Sequence, residues 1–321
     1  MSMPADPRLQ LEVTDVQAEA RDVILLELRA RGGGELPAFL PGAHVEVDLP
    51  NGLVRHYSLT NDWRERDRYV IGIGRSARSR GGSLFAHQAL RRRPALPTRA
   101  PRPGFPLEPS ARRFLFLAGG IGITPIVAMI RWCQAMDRPW RLAYAVRSAQ
   151  RAAFHETLKA MGGPIHLHAD DQASGVFDPG PWLVDEPEGE HVYCCGPGPM
   201  ISAVRAAASH RRPETIHFEY FSAPVDSAAT PPAGSFTVEL RRSGRSIVVT
   251  ADKSILEALE QNGVRVPNSC REGLCRTCET TVCEGAVEHR DYVLSQDERE
   301  AGSTMMVCVS RAKGERLVLD L

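Results

Sequence analysis

Nowhere does this chain run to the roughly 18 consecutive apolar residues that a membrane-spanning helix requires, so no span is expected. It also lacks an excess of charge. Lys plus Arg and Asp plus Glu both number 39, a balance that gives no reason to expect a nucleic acid or a membrane surface as partner. The opening MSMPADPR has neither the basic nor the apolar region of a signal peptide, which points to a cytoplasmic protein. No internal repeat, no G-x-G-x-x-G fingerprint and no catalytic triad is found. A disulfide framework is not expected either: in a reducing compartment the eight cysteines stay free, and clustered ones need a metal or a reaction to explain them.

What is present divides the 321 residues into segments of different character, and at about 150 residues per domain two or three domains are expected. Residues 8–107 hold short strands (LEVTDV, VILLELRA, HVEVDLPNGLVRHYSLT, RYVIGIG) punctuated by Gly, Pro and Asn, as in an antiparallel β-barrel. From residue 108 apolar strands such as FLFLAGG, WRLAYAVRS, IHLHADD and HVYCCG alternate with helical stretches such as PIVAMIRWCQAM. That alternation predicts a parallel sheet with helices on its faces. SAPVDSAATPPAG, residues 222–234, has little to bury and reads as a linker. Beyond it come a hairpin (SFTVELRRSGRSIVVTA), a helix with a capping box at Ser254 and Glu257 and a stop at Gly263, and a run of cysteines. The expectation is a multidomain chain with boundaries at 1–107, 108–228 and 229–321: barrel, parallel α/β, and small α+β.

PNSCREGLCRTCETTVCEG packs four cysteines between Cys270 and Cys283. Cys270, Cys275 and Cys278 with Cys308, 30 residues further on, give the C-x4-C-x2-C…C spacing of plant-type 2Fe-2S proteins. Spacing alone does not exclude Cys283 as the fourth ligand. Its place in the strand-like TTVCEG suggests a small buried hydrophobe instead, and Cys308 in MMVCVSRA is the better ligand. Zinc would call for paired short knuckles, which this spacing fits poorly. CREGLCRTCE with VCVSRA resembles the C-terminal ferredoxin domain of the phthalate dioxygenase reductase family, which includes vanillate demethylase reductase. The resemblance implies a β-grasp fold. Arg276 stands where members carry a small residue, and a cation there is expected to raise the cluster potential or alter the docking surface.

RHYSLTN, followed about 25 residues later by RGGS before a helix, offers a cation, an aromatic, hydroxyls and backbone N–H groups, the groups a flavin and its phosphate need. Alone, RHYS would be an ordinary strand. Paired with RGGS, it resembles the flavin signature of ferredoxin-reductase-type modules in the FMN form. The resemblance implies flavin contacts along Arg55, His56, Tyr57, Ser58, Leu59 and Thr60, and at Gly81, Gly82 and Ser83. His56, His87 and His289 are read as structural or surface residues, not as acids or bases. The RRR of LRRRPALPTRAPRPGFPLEP departs from the usual turn and reads as a solvated face.

FLFLAGGIGITPIVAMI joins a strand to a helix through Gly119, Gly120 and Gly122, which let the backbone approach a pyrophosphate. Thr124 is expected to cap the helix and Pro125 to occupy its first position. With YCCGPGPM about 75 residues later it resembles the pyridine-nucleotide lobe of the ferredoxin-reductase superfamily. That resemblance implies Cys195, Gly196 and Pro197 near the nicotinamide, with Cys194 in the core behind them, and Phe221 and Glu219 of HFEYFSA near the flavin ring. Arg147, Ser148 and Asp171 are expected to border the adenosine half. Arg147 suits a pyrophosphate or a ribose phosphate, whereas Asp171 favours an unphosphorylated ribose; the family resemblance leans to NADH.

Electron counting joins the parts. NADH gives up two electrons as a hydride and a 2Fe-2S cluster takes one, so a flavin must divide the pair. A plant-type cluster near about −400 mV can pass electrons downhill to a Rieske centre between roughly −150 and +300 mV. The resemblance therefore implies a monomeric, NADH-dependent reductase, with FMN and a 2Fe-2S cluster, that serves a Rieske-type oxygenase. The alternatives are a haem or diiron monooxygenase as partner, or a non-enzymatic electron carrier.

Overall fold

Strand alternation builds the first layer. In the computed structural model, which describes residues 8–75, 81–90, 95–222 and 234–321, the first strands are β1 (Leu9–Ala20), β2 (Val23–Ala30), β3 (Ala43–Asp48), β4 (Val54–Ser58) and β5 (Tyr69–Gly74). Helix α1 (Gly82–Ala89) and strands β6 (Ala95–Thr98) and β7 (Arg102–Pro103) follow. Leu11, Val13, Leu26, Leu28, Val45, Val47 and Ile71 point inward to one apolar cluster, and the residues between them face out. The sheet runs β4-β3-β6-β1-β2-β5 with β7 added to β3, all pairs antiparallel. A bridge from Leu59 to Ile71 joins its two ends and closes it on itself. Closure leaves few open edges to manage.

The second layer is parallel. Strands β8 (Arg113–Gly119), β9 (Trp140–Val146), β10 (Ile165–Ala169), β11 (Glu190–Cys195) and β12 (Ile216–Glu219) stand in the order β10-β9-β8-β11-β12. Helices α2 (Ile123–Ala135), α3 (His155–Ala160), α4 (Gly180–Leu183) and α5 (Gly198–Ala207) connect them. Strand order reverses between β8 and β11, the switch point outside whose carboxyl ends open sheets of this kind bind ligands. Every residue of α2 from Ile123 to Ile130 is buried. A helix apolar all round is one covered on all sides. One side of α2 packs in the core under the sheet, while Thr124 and Met129 lie against Gly72 and Gly42 of the barrel.

The chain divides into two compact units, Met1–Phe221 and Ser222–Leu321. In the second, β13 (Phe236–Leu240) and β14 (Arg245–Val249) form the expected hairpin. Helix α6 (Ile255–Gln261), strands β15 (Glu279–Glu284) and β16 (Val287–Glu288), helix α7 (Gln296–Ala301) and strands β17 (Thr304–Met306), β18 (Arg311–Ala312) and β19 (Arg316–Leu319) follow. The main sheet is β14-β13-β19-β15-β17, in which only β13 and β19 run parallel. Ile255, Leu256, Ala258 and Leu259 of α6 close the core over it. The capping box at Ser254 and Glu257 is formed, and Gly263 takes a φ of 74° just past the helix, as expected. Arg91–Arg93, residues 76–80 and residues 223–233 of the expected linker lie outside the described residues. No described helix is long and apolar enough to cross a membrane.

One buried ionic cluster holds the lower end of the parallel sheet. Glu190, at the start of β11, accepts from Arg141 at 3.0 and 3.2 Å and from the fully buried Arg211 at 3.2 Å. Arg211 also donates to the carbonyls of Leu183 and Asp185. Removing Glu190 strands a buried guanidinium, so Glu190→Ala is expected to cost about 3–5 kcal/mol in urea unfolding, and adding Arg211→Met should recover a large part. A Glu190→Ala loss no bigger than that of an exposed pair would show that Arg211 is satisfied by its carbonyls alone.

Candidate functional site

The C-terminal ends of β8 and β11 meet at the switch point. Gly122 lies so close to β11 that a Cβ on it would stand 2.2 Å from the Cys195 carbonyl oxygen, and one on Gly119 would stand 2.5 Å from Pro197 Cδ. The GGIG and CGPG turns therefore form one backbone surface. The helix start differs from the expected one. Gly120–Gly122 make a turn of 3-10 helix, α2 begins at Ile123, and Thr124 caps nothing. Its hydroxyl donates back to the Ile121 carbonyl at 3.0 Å, and Pro125 is the third helical residue, where its missing N–H still costs no intrahelical bond.

Cys195 is fully buried and Cys194 is equally so, but they belong to opposite faces of the sheet, as strand alternation requires. The Cys195 sulfur lies 3.8 Å from Glu219 Oε2, on the neighbouring strand β12. Burial lifts the Cys195 thiol well above its ordinary pKa and pushes the Glu219 carboxyl up to about 8. Opposite Glu219, across Gly104, stands His44, which burial holds down at about 4. Burial thus favours the uncharged form of each member of the cluster Cys195–Glu219–His44. Phe221 follows β12 with 43% of its surface exposed. Sequence reasoning did not find His44 or Gly104, since three separate segments bring this cluster together and no local pattern marks it.

On the barrel, Arg55 and Tyr57 share one face of β4, and His56 and Ser58 the other. The Arg55 guanidinium lies over Gly82 at the start of α1, so close that a Cβ there would meet its Nε at 2.5 Å. Gly81, with a φ of 96°, opens that helix without a side-chain cap. Arg55, Gly81, Gly82 and Ser83 thus form a cradle of the kind a phosphate fills. Tyr57 packs against the barrel core, its hydroxyl pushed up to about 12 by burial. His56 is turned away, 3.7 Å from Glu46 and edge-on to His44. Leu59 is buried in the core, and the Thr60 hydroxyl and N–H both go to the Val70 carbonyl, so these two can offer a ligand only backbone.

Arg147 and Asp171 are both exposed, joined by an N–H of Asp171 to the Arg147 carbonyl at 3.2 Å. Ser148, next to Arg147 in sequence, carries a buried hydroxyl without a hydrogen-bond partner in the protein. A hollow of about 500 Å³ beside β10, lined by His166, His168, Phe177 and Trp182, contains none of the expected residues.

Among the thiols of the second unit, those of Cys270 and Cys275 are within hydrogen-bonding reach of each other, as are those of Cys278 and Cys308. Cys270 also reaches Cys308, so the four converge in two adjoining pairs. The N–H groups of Glu272 and Leu274 donate to the Cys270 sulfur at 3.3 and 3.4 Å. No three described His, Cys, Asp or Glu side chains surround a single point as one metal ion would need. Two pairs with backbone donors fit a two-iron cluster and not zinc. Cys283 is outside the set, but not as a core residue: it sits half-buried at a bulge in β15, beside Arg241. Arg276 is not a bare cation either. Glu279 and Glu298 both bind it, and the group of three carries net negative charge.

Residues 238–313 match the 2Fe-2S iron-sulfur cluster binding domain. The phthalate dioxygenase reductase of Burkholderia cepacia is 42% identical over 324 residues, covering 98% of this chain and 98% of that one. A solved phthalate dioxygenase reductase, described as a modular structure for electron transfer from pyridine nucleotides to 2Fe-2S, superposes with a TM-score of 0.73 at 41% identity and 98% coverage of each chain. An intact type IV self-sufficient cytochrome P450 monooxygenase superposes with a TM-score of 0.89 at 34% identity; all of this chain matches, spanning 43% of that protein.

The raised carboxyl of Glu219 has a measurable sign. Its ordinary pKa is 4.5 and its folded one about 8, so between those values the unfolded chain has released a proton that the folded chain keeps. Stability should fall as pH rises through that window, by no more than about 1.4 kcal/mol per pH unit for this one group. Glu219→Gln is expected to flatten that part of the profile in urea titrations from pH 5 to 8. An unchanged slope would mean that Glu219 is ionised in the folded protein.

Proposed function

Since the chain belongs to the phthalate dioxygenase reductase family, we propose that it is the NADH-dependent reductase component of an oxygenase system, passing electrons through FMN and a 2Fe-2S cluster to a Rieske-type non-haem iron oxygenase. The observation that carries this reading is the pairing of Cys270 with Cys275 and of Cys278 with Cys308 around backbone donors. Residues 1–107 form the FMN-binding barrel, 108–228 the NAD-binding lobe and 229–321 a β-grasp ferredoxin domain. When bound, the flavin supplies the chemistry that parts a hydride's two electrons.

The chain's own residues bind and orient. Arg55 with Gly81, Gly82 and Ser83 holds the flavin phosphate, and Tyr57 with the backbone of residues 58–60 borders its ring. Gly119, Gly120 and Gly122 receive the NADH pyrophosphate, while Arg147, Ser148 and Asp171 hold the adenosine side. Cys195, Gly196, Pro197 and Phe221 frame the nicotinamide. Burial favours the uncharged forms of Cys195, Glu219 and His44 beside the reacting rings. No acid or base is needed, since a hydride carries its own electron pair. Cys270, Cys275, Cys278 and Cys308 ligate the cluster.

A second reading, with a haem monooxygenase as electron acceptor, is favoured by the likeness to the self-sufficient P450. Anaerobically purified protein should contain flavin, two irons and two sulfides per chain, as a 2Fe-2S cluster requires, and its absorption should bleach with NADH. A colourless zinc protein would sink the proposal. NADH consumption coupled to Rieske oxygenases, set beside P450 monooxygenases, separates the two acceptors.

Serine at any one of the four ligand cysteines should abolish or destabilise the cluster, and Cys283→Ser should leave iron content unchanged. Arg55→Ala removes a charge-assisted contact worth about 1.5–3 kcal/mol, so flavin affinity should fall about tenfold to a hundredfold in equilibrium dialysis. Full flavin retention would remove Arg55 from the site.

A further inference from the structure

Two residues of the cluster loop other than glycine have left-handed backbone, and both are arginines that directly follow a proposed ligand: Arg271 after Cys270, with a φ of 58°, and Arg276 after Cys275, with a φ of 57°. An L side chain is disfavoured in that conformation, which glycine adopts freely. Something outside the turn has to hold each one. For Arg271 it is Glu260 of α6, at 2.5 Å, with Asn268 at 3.2 Å. For Arg276 there are two carboxylates. Glu279, at the start of β15, takes a forked pair at 2.9 and 3.2 Å. Glu298 of α7 takes another at 2.5 and 3.3 Å.

Neither carboxylate is loose. Glu298 is the third residue of α7, and its Oε2 accepts from the Ser295 N–H at 2.8 Å in a complete capping box. Glu279 accepts from the Thr304 hydroxyl at 3.1 Å, and its own N–H donates to the Arg276 carbonyl at 3.0 Å. The guanidinium is therefore fixed to two elements that are themselves fixed. Left-handed turns of this kind direct successive N–H groups toward an anion. The first turn shows it, with the Glu272 and Leu274 N–H groups on the Cys270 sulfur.

We propose that Arg276 is a positioning residue: its ion pairs to Glu279 and Glu298 clamp the left-handed turn after Cys275 onto α7, holding the loop in the shape that retains the cluster. It does not act as a free charge that tunes the potential. The proposal rests on the assignment of Cys275 as a ligand.

Charge and clamp predict different patterns in one pair of variants. Arg276→Gly removes a positive charge and Glu298→Gln a negative one, so a purely electrostatic role moves the cluster potential in opposite directions and leaves cluster retention alone. A clamp makes both variants lose the cluster faster. Gln at position 298 still suits the capping box, so α7 remains capped.

The experiment follows cluster absorption of the intact flavoprotein after an iron chelator is added, with potentiometry and low-temperature EPR of the reduced cluster alongside. Loss should quicken about 1.5-fold to fivefold in both variants, the range expected when a half-exposed ion pair is removed, and the EPR lines should broaden in both. Arg276→Lys keeps the charge but not the fork and should restore only part of the retention. Cys275→Ser, run in parallel, tests the underlying assignment. If it loses the cluster while Arg276→Gly and Glu298→Gln match the parent, or if their potentials move apart with retention unchanged, the clamp is wrong. If Cys275→Ser keeps a normal cluster, the ligand assignment fails and the proposal with it.

Discussion

The contact on which the first unit depends is backbone against backbone. Gly119 and Gly122 on one turn lie so close to Cys195 and Gly196 on another that a single methyl group at Gly122 would overlap a carbonyl oxygen. This approach follows from sheet order, because β8 and β11 are neighbours whose connections leave in opposite directions. It brings peptide groups of both strand ends together, with Pro197 and Met200 packed against Gly119. Such a surface can accept a pyrophosphate closely, and it requires α2 to start in a tight turn of 3-10 helix. The burial of Ile123–Ile130 of α2 on all sides then joins the antiparallel sheet to the parallel one, so that the Arg55–Gly82 cradle and the glycine turn belong to one unit.

Charge is handled differently in the two kinds of site. At the end of β11 and β12, burial pushes the Glu219 carboxyl up to about 8, and burial with the neighbouring Glu219 carboxylate raises the Cys195 thiol. Elsewhere charges are paired. Glu190 is shared by Arg141 and Arg211, Glu27 by Arg29 and Arg68, and Glu46 by Arg8 and Arg99. In each case a carboxylate stands between two guanidiniums. At the cluster loop one guanidinium stands between two carboxylates, as Arg68 does between Glu27 and Glu65.

Local patterns were legible in the sequence, and pairings across the fold were not. The Ser254 capping box and the strand alternation that separates Cys194 from Cys195 are both decided within a few residues. Ser295 and Glu298 carry the same S-x-x-E signal, in LSQDEREA, and it marks the start of α7. Thr124 was placed wrongly as a cap because a glycine run looks the same whether it ends in a loop or in a turn of 3-10 helix. His44, Gly104 and Glu219 come from β3, a loop and β12, and the partners of Arg276 lie 3 and 22 residues away. Only a tertiary fold brings such groups together.

The arginine between the second and third ligands shows what a departure from a pattern can mean. Taken as an isolated charge, Arg276 would pull the potential up. In place, its charge is outweighed by Glu279 and Glu298, and what remains distinctive is conformational: a residue that resists left-handed backbone, held there by four hydrogen bonds. A glycine in the same position reaches that backbone without help but makes no connection to α7. The two solutions differ in where the ordering comes from. With glycine the turn must be held by the bound cluster, whereas with arginine part of the restraint is already supplied by the protein, before any iron arrives.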